Sequence, residues 1–317
     1  MTRMEASKNA GTRSLVTICA IAICLCTATF LMIAGCQNVP VTGRSQLVIT
    51  SEAKENEMGL TAYQEVLKTE KVTQNEKWAE VVRRVGDRIA KVANRPDFKW
   101  EFNVIESDTQ NAFCLPGGKV AVYTGILPVC ESEAGLAVVM SHEIAHAIAR
   151  HGGERMTYQT AQNLGKSAVG YVMQNQEEQK QKIVLTAYGA ASDYGVILPY
   201  SRKHEMEADE IGIILMAKAG FDPSAAPGFW ERFASAKKGE APMEFMSTHP
   251  SDAQFVGHKV ELEGQIMTVI RKPRGVVILA EEQPIEKYPG YGHRHVKSEG
   301  SHSFSIDFTG FPEPSLL

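Results

Sequence analysis

The stretch His142-Glu143-Ile144-Ala145-His146 predicts both the fold and the chemistry of this chain. In a helix, histidines four positions apart lie on the same face, so both imidazoles can bind one ion. Glu143 lies beside them and can act as the general base for a water that zinc activates. We predict that this helix begins near Ser132 and ends at Gly152-Gly153.

A catalytic zinc ion needs a third protein ligand and an open coordination position. Candidate ligands lie downstream, in the stretch SRKHEMEAD of residues 201–209. Glu205 and Asp209 are four positions apart and share one face of the predicted helix, whereas Glu207 points elsewhere. One carboxylate can bind the ion while the other orients a ligating histidine. The spacing alone does not decide between Glu205 and Asp209.

The overall composition is that of a globular protein with a slight acidic bias. The chain has 317 residues, 44% of them hydrophobic, and a formal net charge of -4. We therefore expect no nucleic acid partner, since nucleic-acid-binding proteins carry an excess of basic residues.

The N-terminal residues predict export and a lipid anchor. Leu15 to Ala34 runs without a charge after a basic lead, and small residues then precede Cys36, which resembles the lipobox of bacterial lipoproteins. We predict a signal peptide over 1–35, lipidation of Cys36, and attachment to the outer membrane facing the periplasm in a diderm cell. A retained membrane helix and a plain secretory signal are the alternatives.

The rest of the chain predicts a mainly helical α+β domain with a small β-sheet. Polar, turn-rich residues 36–50 suit a tether, 51–270 the domain, and 271–317 a loosely ordered tail. Periodicity and residue preferences predict helices and strands, while 174–182 suits a solvated charged stretch or a mobile loop and 192–199 an irregular segment. The helices are 51–68, 75–93, 157–173, 201–219, 223–235 and 248 to about 264, and the strands are 99–106 and 119–123.

Two cysteines of the domain, Cys114 and Cys130, leave two interpretations open. In an oxidising compartment they could form a disulfide. The alternative is a pair of buried free thiols, because sequence spacing does not establish the required Cα geometry.

Five motifs in order resemble the HtpX/CAAX prenyl protease family of zinc metallopeptidases, and especially its exported, lipobox-bearing form. The resemblance covers residues 40–265. The motifs are VTGRSQL (41–47), NAF (111–113) with PGG (116–118), HEIAHAIARH (142–151), SRKHEMEAD (201–209) and STHPSD (247–252).

The resemblance implies a zincin-like fold of the gluzincin type that binds one zinc ion per chain. It implies His142, His146 and Glu205 as the ligands. Asp209 would then orient a ligating histidine. His249 would stabilise the oxyanion or cap the zinc at rest. His151, five residues beyond His146, lies off the ligand face, and we interpret it as structural.

The resemblance also implies the substrate and the activity. Asn111, Ala112 and Phe113 would form an edge strand that pairs with an extended peptide. The expected function is a zinc-dependent endopeptidase that cleaves envelope or misfolded proteins, with Glu143 activating the attacking water. The alternative is a metal-bound chaperone or assembly lipoprotein with little proteolytic activity.

Overall fold

The computed structural model describes residues 35–235, 257–262, 265–272 and 275–280. Helices predominate and small sheets accompany them, which confirms the predicted α+β class. Among the helices in these ranges, none is both long and apolar enough to cross a bilayer.

The segment expected to be a tether forms a β-hairpin. Strand β1 (Cys36–Asn38) pairs antiparallel with β2 (Ser45–Leu47), with Cys36 opposite Leu47. Helix α1 (Glu52–Thr69) follows directly, and the Ser51 side chain caps it by accepting from the Lys54 amide. The hairpin therefore continues into the domain with little free chain between them.

Helix α2 (Glu76–Val92) has the predicted amphipathic pattern. Its Val82, Val85 and Ile89 are buried in the main core, and Trp78 packs against that core from a partly buried position. Asn75 begins the helix by accepting a hydrogen bond from the amide of Lys77. The apolar face of α2 is thus core, as expected.

A three-stranded sheet lies against these helices. Strand β3 (Glu101–Ile105) pairs in parallel with β5 (Lys119–Tyr123), and β4 (Ala112–Leu115) pairs with β5 in antiparallel register. Gly117 and Gly118 both have positive φ, which the tight turn between β4 and β5 requires. Because the strand order is β3-β5-β4, β4 is an edge strand of this sheet.

Helix α4 (Glu133–Ile148) carries the HEIAH stretch through the centre of the core. It follows a short helix, α3 (Leu127–Cys130), and begins at Ser132, whose side chain accepts from the Gly135 amide. Nearly all of its residues are buried, so its position is fixed on every side. Cys114 and Cys130 are both free, buried thiols, which decides against the disulfide.

The predicted stop at Gly152-Gly153 was wrong. Helix α4 ends before Arg150, which has a left-handed φ of 57°, and α5 (His151–Met173) runs through both glycines. Gly153 instead allows the Glu55 side chain to lie close to the backbone of α5, because a Cβ there would collide with Oε1 of Glu55. Arg150 is held in its uncommon conformation by hydrogen bonds to Glu55.

Three further helices complete the frame of the site. Helix α6 (Glu178–Ser192) includes part of the stretch expected to be a loop, and a π-helical turn (Asp193–Ile197) leads into α7 (Leu198–Lys218) where irregular structure was expected. Gly220 adopts positive φ just beyond α7, and α8 (Ala225–Ser235) follows.

The last predicted helix was wrong over its final third. Residues 257–262 form strand β6 (Gly257–Leu262), which pairs with β7 (Gln265–Lys272), and β7 pairs with β8 (Gly275–Ala280). The sequences of β7 and β8 are rich in Val, Ile and Thr, which favour strands. Strand β7 is therefore available as the pairing partner of β6. The beginning of that predicted helix, with His249, lies outside the described residues.

Candidate metal centre

The contact between α4 and α7 creates the candidate site. Gly212 of α7 lies against the backbone of α4, where a Cβ would come within 3.1 Å of the His142 Cα. This close approach brings Glu205 and Asp209, on the same helix as Gly212, up to the HEIAH residues. All three of His142, Glu205 and Asp209 are buried.

His142, His146 and Glu205 point their donor atoms toward one another. The two Nε2 atoms lie 3.1 Å apart, and the Glu205 carboxylate oxygens lie 3.5 Å and 3.6 Å from them. All three donors fall within 4.8 Å. Tetrahedral zinc with bonds of about 2.1 Å needs donor atoms about 3.4 Å apart. The donor types and spacings therefore fit a zinc ion.

The charge at this centre favours a bound cation. Burial lowers the pKa of His142, but hydrogen bonds to Asp209 and Glu205 outweigh it and raise that pKa to about 10. Two buried carboxylates thus attract positive charge at the ring. A proton on the ring neutralises part of their negative charge, and a divalent ion between the ligands neutralises more of it.

Asp209 reaches the far side of the His142 ring. Its Oδ1 lies 2.9 Å from Nδ1 of His142. When an ion replaces the proton on Nε2, Nδ1 keeps the proton that Asp209 accepts, and the Nε2 lone pair is directed toward the three-donor cluster. Of the two carboxylates that the spacing left open, Glu205 faces the cluster and Asp209 the outer side of the ring.

Glu143 is buried in α4, the helix that packs against β4. Burial raises the pKa of the Cys114 thiol in β4 well above its usual range, and the Glu143 charge adds to this effect. The predicted general base therefore lies within electrostatic range of the edge strand.

Comparison with known proteins agrees with this geometry. The family model described as "Peptidase family M48" matches residues 76–256, more than half of the chain. The chain belongs to peptidase family M48.

This membership confirms the predicted class, since M48 is a family of zinc-dependent metallopeptidases. The mitochondrial metalloendopeptidase OMA1 of Schizosaccharomyces pombe is 39% identical over 232 residues, covering 70% of this chain and 65% of that protein. Human metalloendopeptidase OMA1 is 30% identical over 242 residues (73% and 46%). The beta-barrel assembly-enhancing protease of Escherichia coli (strain K12) is 32% identical over 175 residues (54% and 36%).

The M48 chain spans less than two thirds of the length of each of these relatives. The narrower resemblance to the HtpX/CAAX prenyl protease type, and the lipoprotein form, stay predictions.

The strand predicted to bind substrate is an edge strand. Strand β4 packs against α4, and within the described residues no strand pairs with its outer edge. Ala112 is buried in the core beneath β4, while the Phe113 ring turns to the opposite face and contacts Tyr63 and Tyr123. Peptide binding along Asn111, Ala112 and Phe113 stays a prediction.

A second buried polar cluster of the M48 chain was missed from the sequence. Nδ1 of His151 lies 2.8 Å from Nδ1 of His146, and Nε2 of His151 lies 3.0 Å from Glu207. Arg44, from the N-terminal hairpin, donates to both Glu207 and Glu154. The one signal in the sequence was the VTGR motif, whose arginine has no local acidic partner.

Proposed function

We propose that this chain is a zinc-dependent endopeptidase that binds one zinc ion through His142, His146 and Glu205. The observation that carries the proposal is the convergence of these three donors, with spacings that suit tetrahedral zinc. When bound, zinc polarises the scissile carbonyl and lowers the pKa of a water at the open position.

The residues around the ion have distinct tasks. Glu143 accepts the proton of the attacking water and returns it to the leaving amine. Asp209 fixes the His142 ring through the 2.9 Å contact at Nδ1. His249, by resemblance, stabilises the oxyanion or caps the zinc at rest.

The substrate is an extended peptide that pairs with the outer edge of β4. The support is the position of β4 at the edge of its sheet, packed against α4, the helix that carries Glu143. Backbone pairing along Asn111, Ala112 and Phe113 would hold the peptide with little regard to its side chains. Such pairing suits unfolded proteins, whose backbone groups are exposed.

The cellular substrates we propose are envelope or misfolded proteins, with the enzyme held at a membrane through lipid on Cys36. The support is the lipobox-like sequence before Cys36. Replacement of Cys36 by alanine should abolish labelling with a radioactive fatty acid. Unchanged labelling of Cys36→Ala would exclude this anchor.

The decisive variant for the catalytic proposal is Glu143→Gln. Loss of a general base should lower the rate of cleavage of unfolded casein by about 100-fold or more, while zinc content is retained. Glu178→Gln, which alters an exposed glutamate of α6, is the matched control and should cleave at the wild-type rate. Wild-type activity of Glu143→Gln with zinc bound would refute the mechanism.

A second candidate is a metal-bound assembly factor that rarely cleaves. Its support is the Escherichia coli relative, which is described as a beta-barrel assembly-enhancing protease. Complementation of a deletion strain separates the two. If Glu143→Gln restores growth fully while casein cleavage is lost, assembly is the function; if it fails to restore growth, cleavage is.

A further inference from the structure

A line of hydrogen bonds runs from His146 away from the candidate metal centre. Nδ1 of His146 meets Nδ1 of His151 at 2.8 Å, and Nε2 of His151 meets Oε2 of Glu207 at 3.0 Å. His151 and Glu207 are both buried, at 1% and 5% exposure. Water therefore does not replace these contacts, and each polar atom depends on its protein partner.

Metal binding fixes the direction of every bond in this line. When Nε2 of His146 binds the ion, the ring keeps its proton on Nδ1. Nδ1 of His151 must then accept this proton's hydrogen bond, so His151 carries its own proton on Nε2 and donates it to Glu207. The line therefore requires a neutral His151 ring and an acceptor oxygen on Glu207.

Two residues of the N-terminal hairpin hold that carboxylate in place. Thr42 donates to Oε1 of Glu207 at 2.5 Å, and Nε of Arg44 donates to Oε2 at 2.8 Å. At the other edge of the Arg44 guanidinium, Nη1 and Nη2 donate two hydrogen bonds to Glu154 of α5, at 3.0 Å and 2.7 Å. Arg44 thus joins the hairpin to α5 and α7 at once.

We propose that Thr42 and Arg44 are positioning residues for the metal ligand His146, acting through Glu207 and His151. The inference rests on the proposed zinc site. It makes the two ligand histidines analogous, since each is oriented by a carboxylate of α7. Asp209 contacts His142 directly, whereas Glu207 reaches His146 through one additional ring and is itself held by the hairpin.

The test is the zinc affinity of the full-length chain, measured by competition with a chromophoric chelator. His151→Phe keeps the ring that stacks on His204 at 4.2 Å and removes both hydrogen bonds. Loss of an outer partner of a metal ligand lowers affinity by about 10- to 100-fold, and we expect this for His151→Phe. Thr42→Val, a smaller change at the far end, should lower affinity less, in the same direction.

Thr73→Val is the matched control, because it removes a buried threonine hydroxyl that donates to a glutamate, Glu106, which is not part of this line. We expect it to leave zinc affinity unchanged. A cobalt-substituted protein supplies a spectroscopic readout: the ligand-field bands should shift in His151→Phe and Thr42→Val and stay constant in Thr73→Val.

The outcomes separate this proposal from the zinc site itself. Wild-type protein that binds no zinc would overturn both. Tight zinc binding by the wild type, with equal affinity and unshifted cobalt bands in His151→Phe and Thr42→Val, would overturn the positioning role alone. Equal losses in Thr73→Val and Thr42→Val would also overturn it, since they would indicate general loosening of the fold.

Discussion

Nδ1 of His142 lies 2.9 Å from Oδ1 of Asp209, across the contact between α4 and α7. We expect Asp209→Asn to lower zinc affinity by about 10- to 100-fold, because a neutral amide orients and polarises the ring less than a carboxylate does. Chelator competition measures the change. Asp87→Asn, at an exposed position of α2, is the control, and equal affinities in the two variants would contradict the role of Asp209.

The Glu154 carboxylate should contribute stability that is lost in acid. Burial raises its pKa, but hydrogen bonds from His204 and Arg44 lower it overall, from 4.5 to about 2. Because the folded pKa lies below the unfolded one, this contribution is complete above pH 4.5 and disappears as the pH falls toward 2. Glu154→Gln should therefore be less stable than wild type at neutral pH, with the difference shrinking below pH 4.5.

Urea unfolding of the metal-free proteins across this pH range is the measurement, since chelation removes any contribution from metal release. A stability difference between Glu154→Gln and wild type that stays constant down to strongly acidic pH would contradict the shifted pKa.

The stability of the fold should depend strongly on both partners of the ion pair between Arg150 and Glu55. Two hydrogen bonds of 2.8 Å and 3.0 Å join these buried groups, and Arg150 also donates to the Thr50 carbonyl. We expect Arg150→Ala to reduce the free energy of unfolding by about 3–5 kcal/mol, because Glu55 is left buried and unpaired. Equilibrium urea denaturation measures this.

The double variant Glu55→Gln with Arg150→Met should recover part of that loss, since it leaves no uncompensated buried charge. If the double variant were as unstable as Arg150→Ala with Glu55 intact, the left-handed backbone at residue 150 would be the cause instead.

The thiols of Cys114 and Cys130 should be unreactive toward an alkylating reagent in the native protein and reactive after unfolding. Both are buried, and burial raises the pKa of Cys130 to about 12. Iodoacetamide at mildly alkaline pH should modify neither native thiol, because the reactive thiolate is scarce and inaccessible. Mass spectrometry after denaturation without reductant should find both alkylated; a disulfide-linked peptide would refute the assignment.

The sequence was sufficient for the histidine pair because its signal is local. Histidines four apart in one helix need only helical geometry to be predicted. The amphipathic pattern of α2 was sufficient for the same reason. The choice of Glu205 over Asp209 needed the resemblance, and the structure places Glu205 in the cluster.

What the sequence did not predict depends on contacts between distant residues. His151 lies off the ligand face of a continuous helix, but the left-handed turn at Arg150 starts a new helix and directs its ring back to His146. Arg44 forms hydrogen bonds with partners 110 and 163 positions away. Neither the turn at Arg150 nor these contacts leave a periodic pattern in the sequence.

With the proposed lipid on Cys36, the hairpin that begins there would determine how far the cleft stands from a membrane. A flexible tether of fifteen residues would let an anchored domain move to a root-mean-square distance of about 20 Å from its attachment point. Here Cys36 is paired with Leu47, and Arg44 in between is bonded into the interior. With lipid on Cys36, the cleft would work at a nearly constant height above the bilayer and reach chains that emerge close to its surface.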